Sequence, residues 1–259
     1  MNGRLTLALL AVCLLVLAGF GVAAGVRAAD NACLAFGGSC QRVLFVGNSY
    51  TYENDLPAVF RHLARAGGHA VVTGMEANGG ETLEGHVTST ETPAAITAGW
   101  QLVVLQEQSE IPAVASVRQQ VMYPAVRTLV AQVRAAGGSP VLLETWAHLD
   151  GWSDYRLDYA AMQAGISAGY REIGVELRIP VAPAGDAWER EKAQDSSVEL
   201  WQADGSHPTV AGTYLAACVL FAEVFDASPV GSSSTEGLPE AVARELQQVA
   251  WSTVQTGGS

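Results

Sequence analysis

The chain has 259 residues, of which 26 are acidic and 14 basic, a formal net charge of −12 with neutral histidines. That balance argues against polyanionic partners, both nucleic acid and anionic membrane surfaces. Hydrophobic residues make up 49% of the chain and charged ones only 15%, which excludes a disordered protein, and the length suits one domain with a proper core.

Arg4 followed by the uncharged apolar stretch from Leu5 to Gly25 has the form of a secretory leader, and Val26-Arg27-Ala28 supplies a small-x-small cleavage site. We expect a signal peptide over residues 1–28 and one domain over 29–259, secreted or periplasmic and not stably membrane-associated once the leader is removed. Left uncleaved, the same stretch is long enough to anchor the chain by a single span. Val12, before Cys13, is too large for lipoprotein processing. Cleavage would remove Arg4 and Arg27 and leave 12 basic against 26 acidic residues, a net charge of −14. Cys33 and Cys40 flank a short glycine-bearing loop and are expected to pair in an oxidising compartment. Cys218, among Ala216, Ala217, Val219 and Leu220, reads as a buried thiol. No two cysteines have zinc-site spacing.

Val43-Leu44-Phe45-Val46 reads as a buried strand, closed by Gly47, which lets the backbone turn. Asp55-Leu56-Pro57 opens a helix that ends at Gly67-Gly68. A second strand runs from His69 to Met75, followed by Asn78-Gly79-Gly80 and two short helices from Thr82 and Thr92. Leu102 to Leu105 is a third buried strand, ended by Gln106-Glu107-Gln108-Ser109, and one long helix is expected over 114–136. Val141 to Leu143 is the fourth strand, ending near Glu144 and His148, and a helix follows over 155–173. A short fifth strand over 178–182 contains Pro180 and therefore belongs at an edge. Asp186 to Lys192, Val210 to Phe225 and Leu238 to Val254 complete the helices. Strands alternating with helices point to a parallel sheet covered on both faces, a single three-layer α/β/α domain of flavodoxin-like, doubly wound form with about five strands.

Two stretches carry chemistry. Ser49 follows the first strand at its carboxyl end, where open α/β sheets bind ligands. Far downstream, Asp204-Gly205-Ser206-His207-Pro208 sets a carboxylate three residues before an imidazole, ahead of the helix from Val210. Taken alone, Asp204 there could equally cap that helix, with Pro208 in its first turn. Serine needs a base, and a histidine held by a carboxylate is one.

Together, Gly47-Asn48-Ser49 and Asp204-Gly205-Ser206-His207 resemble the Gly-Asp-Ser and Asp-x-x-His motifs of the SGNH hydrolase superfamily, the GDSL-type esterases and lipases. The resemblance implies Ser49 as nucleophile, His207 as base and Asp204 as its partner. It implies an oxyanion hole from the N–H of Ser49, the N–H of Gly80 with Gly79 as fallback, and an amide side chain after the third strand. This chain lacks the family's Gly-x-Asn-Asp there; Gln108 is the expected substitute, with Gln106, Asn78 and Asn48 as alternatives. The implied activity is a carboxylic ester hydrolase without cofactor or metal, taking a small-molecule or carbohydrate ester, as a monomer. The same residues would serve an acyltransferase, and without chemistry the loops would suit a glycan-binding module.

Remaining polar residues have secondary readings. His62 and His69 are expected at the surface. His86 and His148, with Glu144 and Asp150, lie on the expected active edge as pocket walls or a metal set. Trp146 and Trp188 are read as pocket lining or core.

Overall fold

The protein is described here by a computed structural model covering residues 40–194 and 196–257. The expected leader over 1–28 and Cys33, one half of the expected Cys33–Cys40 pair, lie outside the described residues. Five strands form one sheet: β1 Gln41–Gly47, β2 Val71–Ala77, β3 Leu102–Leu105, β4 Ser139–Leu143 and β5 Val181–Ala182. Their order is β2-β1-β3-β4-β5 and all pairings are parallel. The chain steps from β1 out to β2 and then back across to β3, so the carboxyl ends of β1 and β3 flank the point where strand order reverses. In open α/β sheets a crevice forms there.

Parallel pairing requires crossovers, and helices supply them. In chain order they are α1 Ser49–Tyr52, α2 Leu56–Ala66, α3 Leu83–Thr88, α4 Glu91–Ile96, α5 Ala115–Gln120, α6 Met122–Ala135, α7 Tyr159–Leu177, α8 Ala184–Ala193, α9 Val210–Phe225 and α10 Glu240–Gly257. The period of two along β1 divides the core. Val43 and Phe45 face a layer built from α2, α8, α9 and α10, while Leu44 and Val46 face α3, α4, α6 and α7. Every residue of α9 from Ala211 to Ala222 is buried, because it lies between the sheet, α2 and α10. Each fully buried leucine there stabilises the fold by about 1.5–3 kcal/mol. Cys218 is among them as a free thiol whose proton affinity burial raises. Among the described residues no helix is long and apolar enough to cross a membrane.

Several boundaries differ from the sequence expectation for identifiable reasons. The long helix is interrupted at Val121, between α5 and α6. Pro124 lacks the N–H that would bond to Gln120 and its ring crowds that carbonyl. The helix expected from Tyr155 begins at Tyr159, behind Asp158, whose carboxylate accepts the N–H of Ala161. It continues past Ile173 until Arg178 adopts a left-handed backbone at φ 53°. β5 shrinks to two residues at the sheet edge, and Pro180 contributes its carbonyl to Leu142.

Candidate active site

The nucleophile candidate sits where β1 meets α1. Asn48 caps that single turn by accepting the N–H of Tyr50, and Ser49 follows it, 8% exposed. Gly47 is required here for space. A methyl group at that position would collide with Thr51 Oγ1 and Gln106 Oε1, and its φ is not positive. The sequence reading of Gly47 as a backbone hinge is therefore corrected: the cross-strand glutamine excludes a side chain.

The second stretch forms a tight loop. Asp204 Oδ1 accepts the N–H groups of Ser206 (2.9 Å) and His207 (3.0 Å), and Gly205 takes φ +68° between them. These backbone donors, with the neighbouring imidazole, pull the Asp204 carboxyl down to about 2. The helix beyond starts at Val210 and is capped by Thr209, which accepts the N–H of Gly212. Asp204 is therefore not its cap, and Pro208 lies before the helix, bridged to Trp201. Asp204 Oδ2 is free for the ring, and His207 Nδ1 approaches it to 2.6 Å. His207 Nε2 lies 2.9 Å from Ser49 Oγ. With Nδ1–H donating to the carboxylate, Nε2 is left to accept the serine proton.

Aromatic packing holds the loop. Tyr50 stacks on Trp146 at 4.6 Å and Trp146 on Trp188 at 4.0 Å, so both tryptophans belong to the core beneath the site. Trp146 Nε1–H donates to the Ser206 carbonyl at 3.1 Å, and the Tyr50 hydroxyl meets Ser206 Oγ at 2.7 Å. The Tyr50 ring also meets His207 edge-on at 5.7 Å. Burial pushes the Tyr50 hydroxyl up to about 12, keeping it neutral.

Above Ser49 opens a cleft of about 420 Å³, lined by residues after every one of the first four strands. Asn48, Ser49, Tyr50 and Tyr52 follow β1, Gly79 and Gly80 follow β2, and Gln108 to Glu110 follow β3. His148 follows β4, and Ser206 and His207 close the ring. Gly80 has φ +67° and is exposed, so its backbone can face the cleft where a side chain would be strained.

Gln106 separates from the other amide candidates. Gln108 Oε1 is held by the N–H groups of Glu110 (2.8 Å) and Ile111 (3.3 Å), while its Nε2 makes only a long contact with Ser109 Oγ. Gln106 is buried with its amide fully engaged: Oε1 accepts Asn48 N–H and Thr51 Oγ1–H, and Nε2 donates to Asn48 Oδ1 and the Glu107 carbonyl. Asn48 Nδ2 donates to the Glu81 carbonyl, and Asn78 pairs with Glu81 outside the cleft. Gln108 and Asn48 both border the cleft, each with one amide N–H not used in the bonds just named.

The other expected residues disperse. His86 is buried on α3, bonding the Gly47 carbonyl and Thr92 at 2.7 Å each, so it supports from below the turn that carries Ser49. His148 borders the cleft, 3.1 Å from Ser109 Oγ, and burial lowers its proton affinity. Glu144 is fully buried against Gln163 and Ser167, away from His148. Among the described residues no group of three or more His, Cys, Asp or Glu is arranged to hold a metal ion. His62 is exposed beside Glu236, whereas His69 stacks on Phe225 at 3.9 Å. Sequence reasoning missed Tyr50, Tyr52, Ser109, Glu110 and Ser206 as cleft residues; their only signal was adjacency to the motifs.

No protein-family model and no curated protein matches the chain. Solved structures do. A protein assigned to the SGNH hydrolases, from Slackia heliotrinireducens, is 28% identical and superposes with a TM-score of 0.61, covering 72% of this chain and 100% of its own. The chain belongs to the SGNH hydrolase superfamily. A DUF4886 family protein from Bacteroides uniformis superposes with a TM-score of 0.72 over 85% of this chain and 97% of its own, at 20% identity. An acetyl xylan esterase does so at 0.56 over 71% and 99%, at 12% identity. These last two share the fold. As an SGNH hydrolase the chain is atypical in the loop after β3, which reads Gln106-Glu107-Gln108-Ser109 and lacks the family's Gly-x-Asn-Asp.

Proposed function

We propose that this SGNH hydrolase cleaves carboxylic esters through an acyl-enzyme on Ser49. The observation that carries the reading is the continuous relay from Ser49 Oγ to His207 Nε2 at 2.9 Å and from His207 Nδ1 to Asp204 Oδ2 at 2.6 Å. In the first half-reaction His207 takes the Ser49 proton as Oγ attacks the carbonyl carbon. The resulting oxyanion faces the N–H groups of Ser49 and Gly80 and Nε2 of Gln108; each such donor lowers the barrier by about 3 kcal/mol. His207 then passes its proton to the departing alcohol. Water, deprotonated by the same ring, releases the acid and regenerates the serine. Asp204 stabilises the imidazolium and remains ionised in any neutral or mildly acidic medium.

The acyl group we assign is short, an acetyl on a hydroxylated alcohol such as a carbohydrate. In support, acyl and alcohol parts would share one cleft of about 420 Å³, in which the hydroxyl, amide, carboxylate and imidazole groups of Ser49, Asn48, Gln108, Glu110, His148 and His207 stand beside the rings of Tyr50 and Tyr52. The likeness in fold to an acetyl xylan esterase agrees with this. We further assign residues 1–28 as a leader and the mature chain as an exported monomer, to be checked by N-terminal sequencing and sedimentation.

The test is a series of p-nitrophenyl acetate, butyrate and octanoate together with acetylated oligosaccharides, with wild type and Ser49→Ala. Acetyl esters should be preferred, and S49A should lose about 10³-fold or more of kcat while keeping its melting temperature. Transfer to excess acceptor alcohol in place of hydrolysis would reassign the chain as an acyltransferase. A wild type inert to all esters but retained on a glycan gel would make it a binding module.

A further inference from the structure

Glu107 is a buried carboxyl that the mechanism above does not use. It has no exposed surface and stands between Gln106 and Gln108 at the end of β3. Its Oε1 accepts two backbone N–H groups at once, that of Leu83 at 3.0 Å and that of Gln108 at 2.8 Å. Leu83 opens α3 immediately after the segment Gly79-Gly80-Glu81-Thr82, and Gln108 carries the amide that borders the cleft. One oxygen atom thus joins the loop after β2 to the loop after β3, the two loops from which the Gly80 and Gln108 donors would come. The main chain of Glu107 is itself fixed, its N–H to the Tyr170 hydroxyl at 3.0 Å and its carbonyl to Gln106 Nε2 at 2.5 Å. Asn48 adds a parallel brace from the nucleophile's turn to the Glu81 carbonyl.

We propose that Glu107 is a positioning residue of the oxyanion site, its carboxyl oxygen setting the separation of the Gly80 and Gln108 loops around the acyl carbonyl. It touches no substrate and acts through those two loops. The inference rests on the ester-hydrolase reading of the same cleft. A carboxyl is suited to the task because one oxygen can accept two N–H groups from different loops, which no apolar side chain of similar size can do. Two donors displaced by even part of an ångström lose transition-state stabilisation while substrate still enters the cleft.

The experiment compares Glu107→Met, which keeps the volume and removes the acceptor, with Glu107→Gln, which keeps a carbonyl oxygen for both N–H groups. Substrate is p-nitrophenyl acetate, and melting temperature monitors folding. The expected result is a kcat about 10- to 100-fold below wild type for E107M with KM within about twofold. E107Q should return to within about threefold of wild type. Wild-type kcat in a folded E107M, or equal losses in E107M and E107Q, would overturn the proposal. Should E107M fail to fold, amide exchange in the wild type gives the answer: Leu83 and Gln108 N–H must both be protected, and rapid exchange at either overturns it. A wild type inert to the ester and to fluorophosphonate would refute the hydrolase reading instead, and the exchange measurement would still judge the brace.

Discussion

Substituting Glu107 by Gln should change how stability depends on pH. Burial raises the Glu107 carboxyl from an ordinary 4.5 to about 7, against the opposing pull of the Leu83 and Gln108 N–H groups, with the Glu84 charge adding to the rise. A carboxyl that binds its proton more tightly folded than unfolded favours the native state most at low pH. That contribution declines as pH rises from about 4.5 to about 7 and is gone above it. At about 1.4 kcal/mol for each tenfold change in proton affinity, the ceiling is about 3 kcal/mol, of which about 2.5 kcal/mol should disappear between pH 5 and pH 8. Gln is neutral throughout and can accept the same two N–H groups, so E107Q should not show this decline. Other buried carboxyls, Glu144 and Glu191 among them, are raised in both proteins and cancel in the comparison. Urea denaturation at several pH values is the assay. Relative to wild type, E107Q should gain about 2–3 kcal/mol between pH 5 and pH 8, a midpoint change of about 1 M. Parallel pH curves for the two proteins, or a variant that weakens further on the alkaline side, would show that Glu107 does not bind its proton more tightly in the folded state.

The remaining predictions concern the relay and its supports. Asp204→Asn should lower kcat by about 10²- to 10⁴-fold with little effect on KM, since the imidazole loses its anion and its tautomer; steady-state kinetics on p-nitrophenyl acetate would show it. Gly47→Ala should destabilise the fold by about 1–3 kcal/mol, because the new methyl group displaces Thr51 and Gln106, and thermal melting reads it directly. Trp146→Phe keeps the ring stack but removes the N–H bond to the Ser206 carbonyl, so kcat should drop several-fold while denaturation changes by about 1 kcal/mol. Gln108→Ala should lower kcat on acetyl esters about 10²-fold and Gln106→Ala should chiefly lower the melting temperature.

Much of the fold was legible because it is written in patterns that tertiary context does not override. Val43–Val46, Leu102–Leu105 and Val141–Leu143 are apolar runs too short for helices, each closed by polar or glycine residues, and α9 is apolar without a break from Tyr214 to Ala222. Pro180 placed β5 at an edge, where it lies. The break at Val121 was legible too, in Pro124, but an uninterrupted apolar period hid it. The pairing of Ser49 with His207 followed from two motifs, whereas the choice among amides could not. Gln106 and Gln108 have the same parity along β3, so alternation puts both on one side. Depth separates them: the N–H of Gln106 still bonds the Val46 carbonyl in the ladder, which leaves its side chain under the nucleophile turn, while Gln108 lies past the last rung. His86 misled for a similar reason, as a residue four places into a loop-helix junction can point toward the site or beneath it. Glu107 carried no sequence signal, since a carboxyl between two glutamines reads as a solvated loop.

The proposed chemistry stands or falls with Ser49 as a nucleophile activated by His207. The most direct measurement is intact-mass and peptide analysis after reaction with a fluorophosphonate at neutral pH. One phosphonyl group should be found per chain, on Ser49, and His207→Ala should abolish the reaction while leaving the melting temperature near that of wild type. An unmodified wild type, or an adduct on another residue that persists in Ser49→Ala, would rule out Ser49 as the nucleophile.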